Sequence, residues 1–267
     1  MVDEVVTDAL WARLESLIPP RERRFRYPGR HRSDDRAALE GILYVTRTGI
    51  GWNQLPTGLF GVSGATCWRR LSEWSQAGVW QQLHESVLNE LRAAGRLELS
   101  RVLVDASHLR ALKRGDHVGP SPVDRGRPGS KHHLITDAAG TPLAVTLTGG
   151  NRNDVTQLIP LVDALPVTRG RRGRPWRRPW HLYADRGYDH DKYRRLLRAR
   201  GITPVIARRN TGHGSGLGKL RWPVERVFAW LHAFKRLRTR YERRADIHQA
   251  LLSLACSIIC LRKLILN

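Results

Sequence analysis

RVLVDAS (residues 101–107) and, after a loop, KHHLITDAAGTPLAVTLTGG (131–150) decide the fold class. The first is a short β-branched run closing on an acid, Asp105. The second reads as a β-hairpin, two extended runs joined by AAG with Gly140 in the turn. Residues 1–95 read as helices joined by a basic turn (RERRFRYPGRHR) and a Gly/Pro-punctuated connection (GIGWNQLPTGLFG); the texture changes past Leu97, and a domain boundary is expected there, 1–97 helical and 98–267 mixed.

Outward from the hairpin, Asn153 or Asp154 caps an amphipathic helix, DVTQLIPLVDAL. VTRGRRGRPWRRPW is an Arg/Pro-dense surface loop. HLYADRGYD is a second strand closing on an acid, Asp185, and DKYRRLLRARG a helix ending at Gly201. ITPVIARR is a strand and NTGHGSGLG a loop. WPVERVFAWLHAFKRLRTRY (222–241) reads as one basic helix with Val227, Trp230, Leu231, Phe234 and Leu237 on its apolar side. DIHQALLSLACSIICLRKLI is a buried helix whose Cys256 and Cys260 are core residues; with Cys67 they are the three cysteines, and no CxxC pair exists. The order β-β-β-α-β-α-β-α-α specifies an α/β fold with a mixed sheet flanked by helices.

In residues 1–97, Thr7 is placed to cap a helix that Pro19 and Pro20 end. Ser33 is placed to cap the next and Ser63 a third, which carries Trp68, Arg69, Arg70 and Trp74. A helix, a turn and a second basic helix resembles a helix-turn-helix, with Arg69 and Arg70 as DNA contacts; a plain bundle with core tryptophans fits the same spacing.

Lys and Arg number 46 against 24 Asp and Glu, a formal charge of +22, which points to a polyanionic partner. No apolar run reaches the ~18 residues of a spanning helix, and no signal peptide is visible, so a cytosolic protein acting on nucleic acid, without a membrane role, is expected.

Two strands close on acids, Asp105 and Asp185, and sites form at strand carboxyl ends in open α/β sheets. If the strands are neighbours, the acids lie side by side. Glu225 stands alone among arginines, either an ion-pair partner of Arg221 or a third member of the set. Three carboxylates suit Mg²⁺ or Mn²⁺, and a pair of such ions suits phosphodiester chemistry. Asp189 is placed as a cap or a support for Asp185, and Asn151, Asn153 and Asp154 as turn residues near the site.

These segments resemble the bacterial insertion-sequence DDE transposases of the group named after insertion sequence five. LWARLESLIPP, GILYVTRTGIGWNQLP and WRRLSEWSQAGVW carry the N-terminal part of the resemblance. VDAS, KHHLITDAAGTPLAVTLTGGNRNDVTQL, LYADRGYD and WPVERVFAWLHAFKRLRTRYE carry the rest, in the family's order. The resemblance implies a ribonuclease H-like catalytic domain with Asp105, Asp185 and Glu225 as the catalytic, metal-binding triad. It implies two Mg²⁺ (or Mn²⁺) ions, hydrolysis at the ends of the element, and attack of the freed 3′-hydroxyl on target DNA. It further implies terminal inverted repeats and target DNA as partners, at least a dimer when two ends are synapsed, and action at the bacterial nucleoid. Of the Tyr, Arg, Glu and Lys that the related insertion-sequence-four group carries on its Glu helix, Arg221 and Glu225 are present, while Gly218 and His232 stand at the other two positions. Expected DNA contacts are Lys131 (with His132 beside it), Arg172, Arg174, Arg177 and Arg178 of the Arg-rich loop, and Arg221, His232, Lys235 and Arg236. A DNA-binding regulator derived from a transposase, and a nuclease without strand transfer, are the competing readings.

Overall fold

The computed structural model describes residues 2–20, 26, 31–170, 172–209 and 217–265. Most of the basic turn at 21–30 and the loop at 210–216 lie outside the described residues.

Helix α1 (Val2–Leu14) continues as a 3₁₀ turn and stops short of Pro19 and Pro20; it starts five residues before the cap expected at Thr7. Helix α2 (Asp35–Thr48) is capped by Asp34, not Ser33: the Asp34 carboxylate accepts from the Ala37 N–H at 2.7 Å. Gly49, at φ 75°, ends α2 in the left-handed region. After α3 (Thr57–Phe60), Ser63 caps α4 (Gly64–Gln76), and α5 (Val79–Ala93) follows.

The sheet comprises β1 (Arg101–Ala111), β2 (Gly119–Pro120), β3 (Pro128–Asp137), β4 (Pro142–Gly149), β5 (His181–Ala184), β6 (Thr203–Ile206) and β7 (Thr239–Arg240), with α6 (Leu158–Asp163) and α7 (Asp191–Ala199) between strands. Helices α8 (Leu217–Ala233), α9 (Lys235–Arg238) and α10 (Ala245–Ile265) complete the chain. Its spine runs β4-β3-β1-β5-β6: β1, β3 and β4 are antiparallel, whereas β5 joins β1, and β6 joins β5, in parallel. This is the mixed, ribonuclease H-like arrangement expected. Parallel neighbours need a crossover, which α7 supplies between β5 and β6.

β1 does not end near Asp105; it continues to Ala111, because β3 pairs with it from Val102 through Arg110. What stops at this level is β5, so Asp105 lies where its strand loses a neighbour. Nor is 222–241 one helix: α8 ends at Ala233, Phe234 is extended (ψ 100°), and the chain restarts as α9 and then β7. The break lets Arg236 turn inward, where it donates to Glu242 Oε1 at 2.7 Å and to the Ile50 carbonyl at 2.8 Å.

A single apolar cluster runs from Leu10 and Leu39 in the helical region through Val102, Leu134 and Leu182 of the sheet to α10. Helix α10 packs on α5, α4, α1 and β4 and so ties the helical region to the sheet. By length and composition α10 could cross a bilayer, but 72% of its apolar window is buried inside the protein, as befits a core helix.

Candidate active site

The parallel register places the two aspartates. Arg101 pairs with His181, Val102 with Leu182 and Leu103 with Tyr183. Two residues on, with side chains alternating along each strand, Asp105 and Asp185 fall side by side on one face. Asp185 is extended (φ −76°, ψ 177°) and opens the 3₁₀ turn Arg186–Tyr188, directly after β5 ends at Ala184. Helix α8 packs over β1 and β5. From it Arg221 Nη2 reaches Asp105 Oδ2 at 3.3 Å, and Glu225 follows one turn later.

The electrostatics are unbalanced. Burial pushes the Asp105 carboxyl up to about 6; the charges of Asp185 and Glu225 push the same way, against the Ala106 N–H and Arg221. Asp185 Oδ1 is buried without a hydrogen-bond partner. A Cβ added at Gly187 would come within 2.9 Å of that oxygen, so the glycine keeps the approach open. A buried, unpartnered carboxylate oxygen beside a second carboxylate fits a hard cation. Among the described residues no three His, Cys, Asp or Glu side chains are gathered closely enough to hold a metal ion by themselves. Asp105 and Asp185 form the converged pair, and exposed Glu225 stands on the flank of α8.

Tyr188 went unnoticed in the sequence. Its ring is buried and its hydroxyl has no partner; burial and the charges of Asp154, Asp105 and Asp185 push it well above the usual phenol range. Asp189 is a structural anchor: it accepts from Arg194 Nε at 2.7 Å and from the Arg209 N–H at 2.8 Å, while His190 caps α7. Asn153 caps the 3₁₀ turn before α6.

The basic residues divide. Arg69, Arg172, Arg174, Arg177, Arg178 and Lys235 are exposed. The Arg-rich loop is pinned at its base by the Thr168–Trp176 bridge. Arg221 is occupied by Asp105. Three expected DNA contacts are instead internal. Arg70 is buried and paired with Asp35 at 2.7 Å. Lys131 is buried, with Nζ 2.8 Å from Asp154 Oδ1 and 2.7 Å from the Arg152 carbonyl. Arg236 is paired with Glu242. In each case a carboxylate compensates a cation that burial would otherwise penalise. His232 also faces inward: its ring lies 6.3 Å from those of His132 and Phe228, and its Nε2 is buried without a partner. His132 is fully buried, with Nε2 2.8 Å from His248 Nε2.

Residues 96–260 match the family model "Transposase DDE domain", and residues 6–84 match "Putative transposase of IS4/5 family". The chain belongs to the DDE transposases of the IS4/5 family. It is 67% identical over 143 residues to "Putative transposase for insertion sequence element IS402" of Burkholderia cepacia, covering 54% of this chain and 68% of that one. A second Burkholderia cepacia protein, "Insertion element IS402 uncharacterized 16.2 kDa protein", is 46% identical over 123 residues, covering 46% of this chain and 84% of that one. The solved catalytic domain of Mos1 mariner transposase aligns over 68% of this chain and 90% of that one at 14% identity, with a TM-score of 0.34, too loose to carry detail. The transposase domain implies use of a divalent metal, and the Asp105–Asp185 pair has the oxygen donors such an ion takes.

Proposed function

We propose that Asp105, Asp185 and Glu225 are the catalytic triad of this transposase and that they hold two Mg²⁺ ions, with Mn²⁺ as a substitute. The observation that carries this reading is the β1–β5 register, which sets Asp105 beside Asp185 with one Asp185 oxygen unpartnered. When bound, the ions would supply Lewis-acid stabilisation to the attacking and leaving oxygens of the phosphodiester. Arg221 holds the Asp105 carboxylate in place and offsets part of the repulsion between the acids. Glu225, on a helix of a different element, completes the set from the open side. The exposed Arg69, Arg172, Arg174, Arg177, Arg178 and Lys235 grip the DNA backbone without reading sequence.

In this reading the protein acts in the bacterial cytoplasm, at the nucleoid. It binds the terminal inverted repeats of its insertion sequence, hydrolyses a phosphodiester bond at each end and joins the freed 3′-hydroxyl to target DNA. Two ends are held together by at least two copies. The 1–97 region is the DNA-binding part and 98–267 the catalytic part. The test is incubation with labelled element-end DNA and a target plasmid, with and without Mg²⁺. Metal-dependent cleavage and joining are expected, lost in Asp105→Asn, Asp185→Asn and Glu225→Gln while end binding persists. Cleavage without joining would leave a nuclease, binding without cleavage a regulator, and wild-type cleavage by any of the three variants would sink the triad.

A further inference from the structure

The outer face of α8 carries a feature that the catalytic reading does not use. Trp222 and Trp230 are 50% and 41% exposed, unusual for indoles. Arg226 lies between them, one turn from each, its guanidinium carbon 4.4 Å from the Trp222 ring centre and 4.8 Å from that of Trp230. Arg226 Nη2 donates to the Ala139 carbonyl at 3.0 Å, and Nε has no partner. Gly140, at φ 78°, lets that β3–β4 turn close on α8; a Cβ there would sit 3.0 Å from the Pro223 carbonyl.

This arginine opens on a cavity of about 660 Å³ between α2, the β3–β4 turn, α8 and α10. Arg47, Arg262 and Lys263 also line it, together with Trp230, and among the described residues no acidic one does. Four cations from three helices thus meet in one recess. Arg226 directly follows Glu225, so the recess opens about 100° round α8 from that acid.

We propose that this cleft is a binding site for the phosphodiester backbone of DNA, with Arg226 as its preorganised contact. The two indoles hold the guanidinium plane so that little side-chain freedom is lost when it meets a phosphate. A second copy of the chain is the wrong occupant, since at +22 it would bring like charge to the recess. The site rests on the reading of the chain as a DNA-acting enzyme, but it requires neither the triad nor a particular element end.

The experiment is fluorescence anisotropy with a short random-sequence duplex, titrated at several salt concentrations in EDTA. Arg226→Gln should weaken binding roughly tenfold and lower the slope of log K against log salt by about 0.9, the share of one phosphate contact. Trp222→Ala/Trp230→Ala keeps the charge but removes the sandwich, and should weaken binding about three- to fivefold with the slope nearly unchanged. Thermal melting checks that both variants fold; the two indoles are exposed and Arg226 is half-buried. Wild-type affinity and slope in Arg226→Gln overturn the site, as does equally tight binding of poly-glutamate in competition with the duplex. Neither result touches the triad, which cleavage by Glu225→Gln judges separately.

Discussion

Arg221 Nη2 stands 3.3 Å from Asp105 Oδ2, across 116 residues of chain, and it is the cation that opposes the burial and the two neighbouring acids holding that carboxyl at about 6. Only the ionised carboxylate takes a cation, so Mg²⁺ uptake by the metal-free protein should weaken as pH drops through this value, and cleavage at sub-saturating Mg²⁺ should weaken with it. Arg221 favours the charged form, and its removal raises the Asp105 pKa further. Arg221→Gln is therefore expected to move the acid limb of the pH–rate profile to higher pH, by about one unit, with Arg221→Lys in between. Single-turnover cleavage at sub-saturating Mg²⁺ from pH 5 to 9 measures it. An unmoved acid limb in Arg221→Gln would show that Arg221 does not set the Asp105 charge.

Adjacent arginines on α4 should separate cleanly. Arg69 is exposed, whereas Arg70 is 6% exposed and tied to Asp35 and Glu73. Arg69→Ala should weaken DNA binding and leave the melting temperature within error. Arg70→Ala leaves Asp35 and Glu73 to Arg32 alone and removes a buried side chain, and should cost about 1–3 kcal/mol of stability. Denaturant melts beside binding isotherms decide it; the reverse pattern would return Arg70 to the DNA face.

That pair also marks how far sequence reading goes. The order of elements along the chain is legible, because hydrophobic runs and turn residues are local signals; that β1 and β5 are neighbours, the condition for Asp105 to meet Asp185, is a long-range pairing that only the fold supplies. Whether a cation faces DNA or a buried acid is not local. Lys131 finds Asp154 23 residues away, and Arg70 finds Asp35 35 residues away. The same holds for the break after Ala233. Phe234 and Leu237 are buried, as the helical period requires, yet the backbone leaves the helix at Phe234 and restarts at Lys235, which lets Arg236 reach its partners. Trp230, expected on the apolar side of its helix, is instead 41% exposed, and its stacking with Trp222 on Arg226 shows only in the fold.

Glu242 is 6% exposed and faces Arg236 at 2.7 Å and His248 at 3.5 Å. Burial alone would raise its carboxyl; the two partners outweigh burial and hold it down to about 2. A carboxyl depressed in the folded chain below its unfolded value of about 4.3 stabilises the protein above that value. The contribution is lost as pH falls from about 4.5 through 2. Glu242→Gln leaves the buried Arg236 unpaired and should cost about 3 kcal/mol at pH 7. The deficit should shrink as acid titrates the wild-type carboxyl. Urea melts at pH 7 and pH 3 test this, and equal deficits at both would refute the ion-pair account.

Gly64 opens α4, and two effects of Gly64→Ala oppose each other. Helix propensity favours alanine by up to about 1 kcal/mol. Space does not: an added Cβ would lie 1.7 Å from the Trp52 carbonyl oxygen and 2.6 Å from its carbon, both backbone atoms that no rotamer can move. Relieving the overlap means pushing the 3₁₀ turn at Trp52–Gln54 away from α4, and with it the Trp52 ring beneath Arg236. Overpacking of this kind costs about 1–3 kcal/mol or more, so the clash wins. Gly64→Ala should melt several degrees below wild type, whereas Gly58→Ala, with nothing within 4 Å of its added Cβ, should not. Equal melting temperatures for the two variants would mean that the helical region yields at this contact without cost.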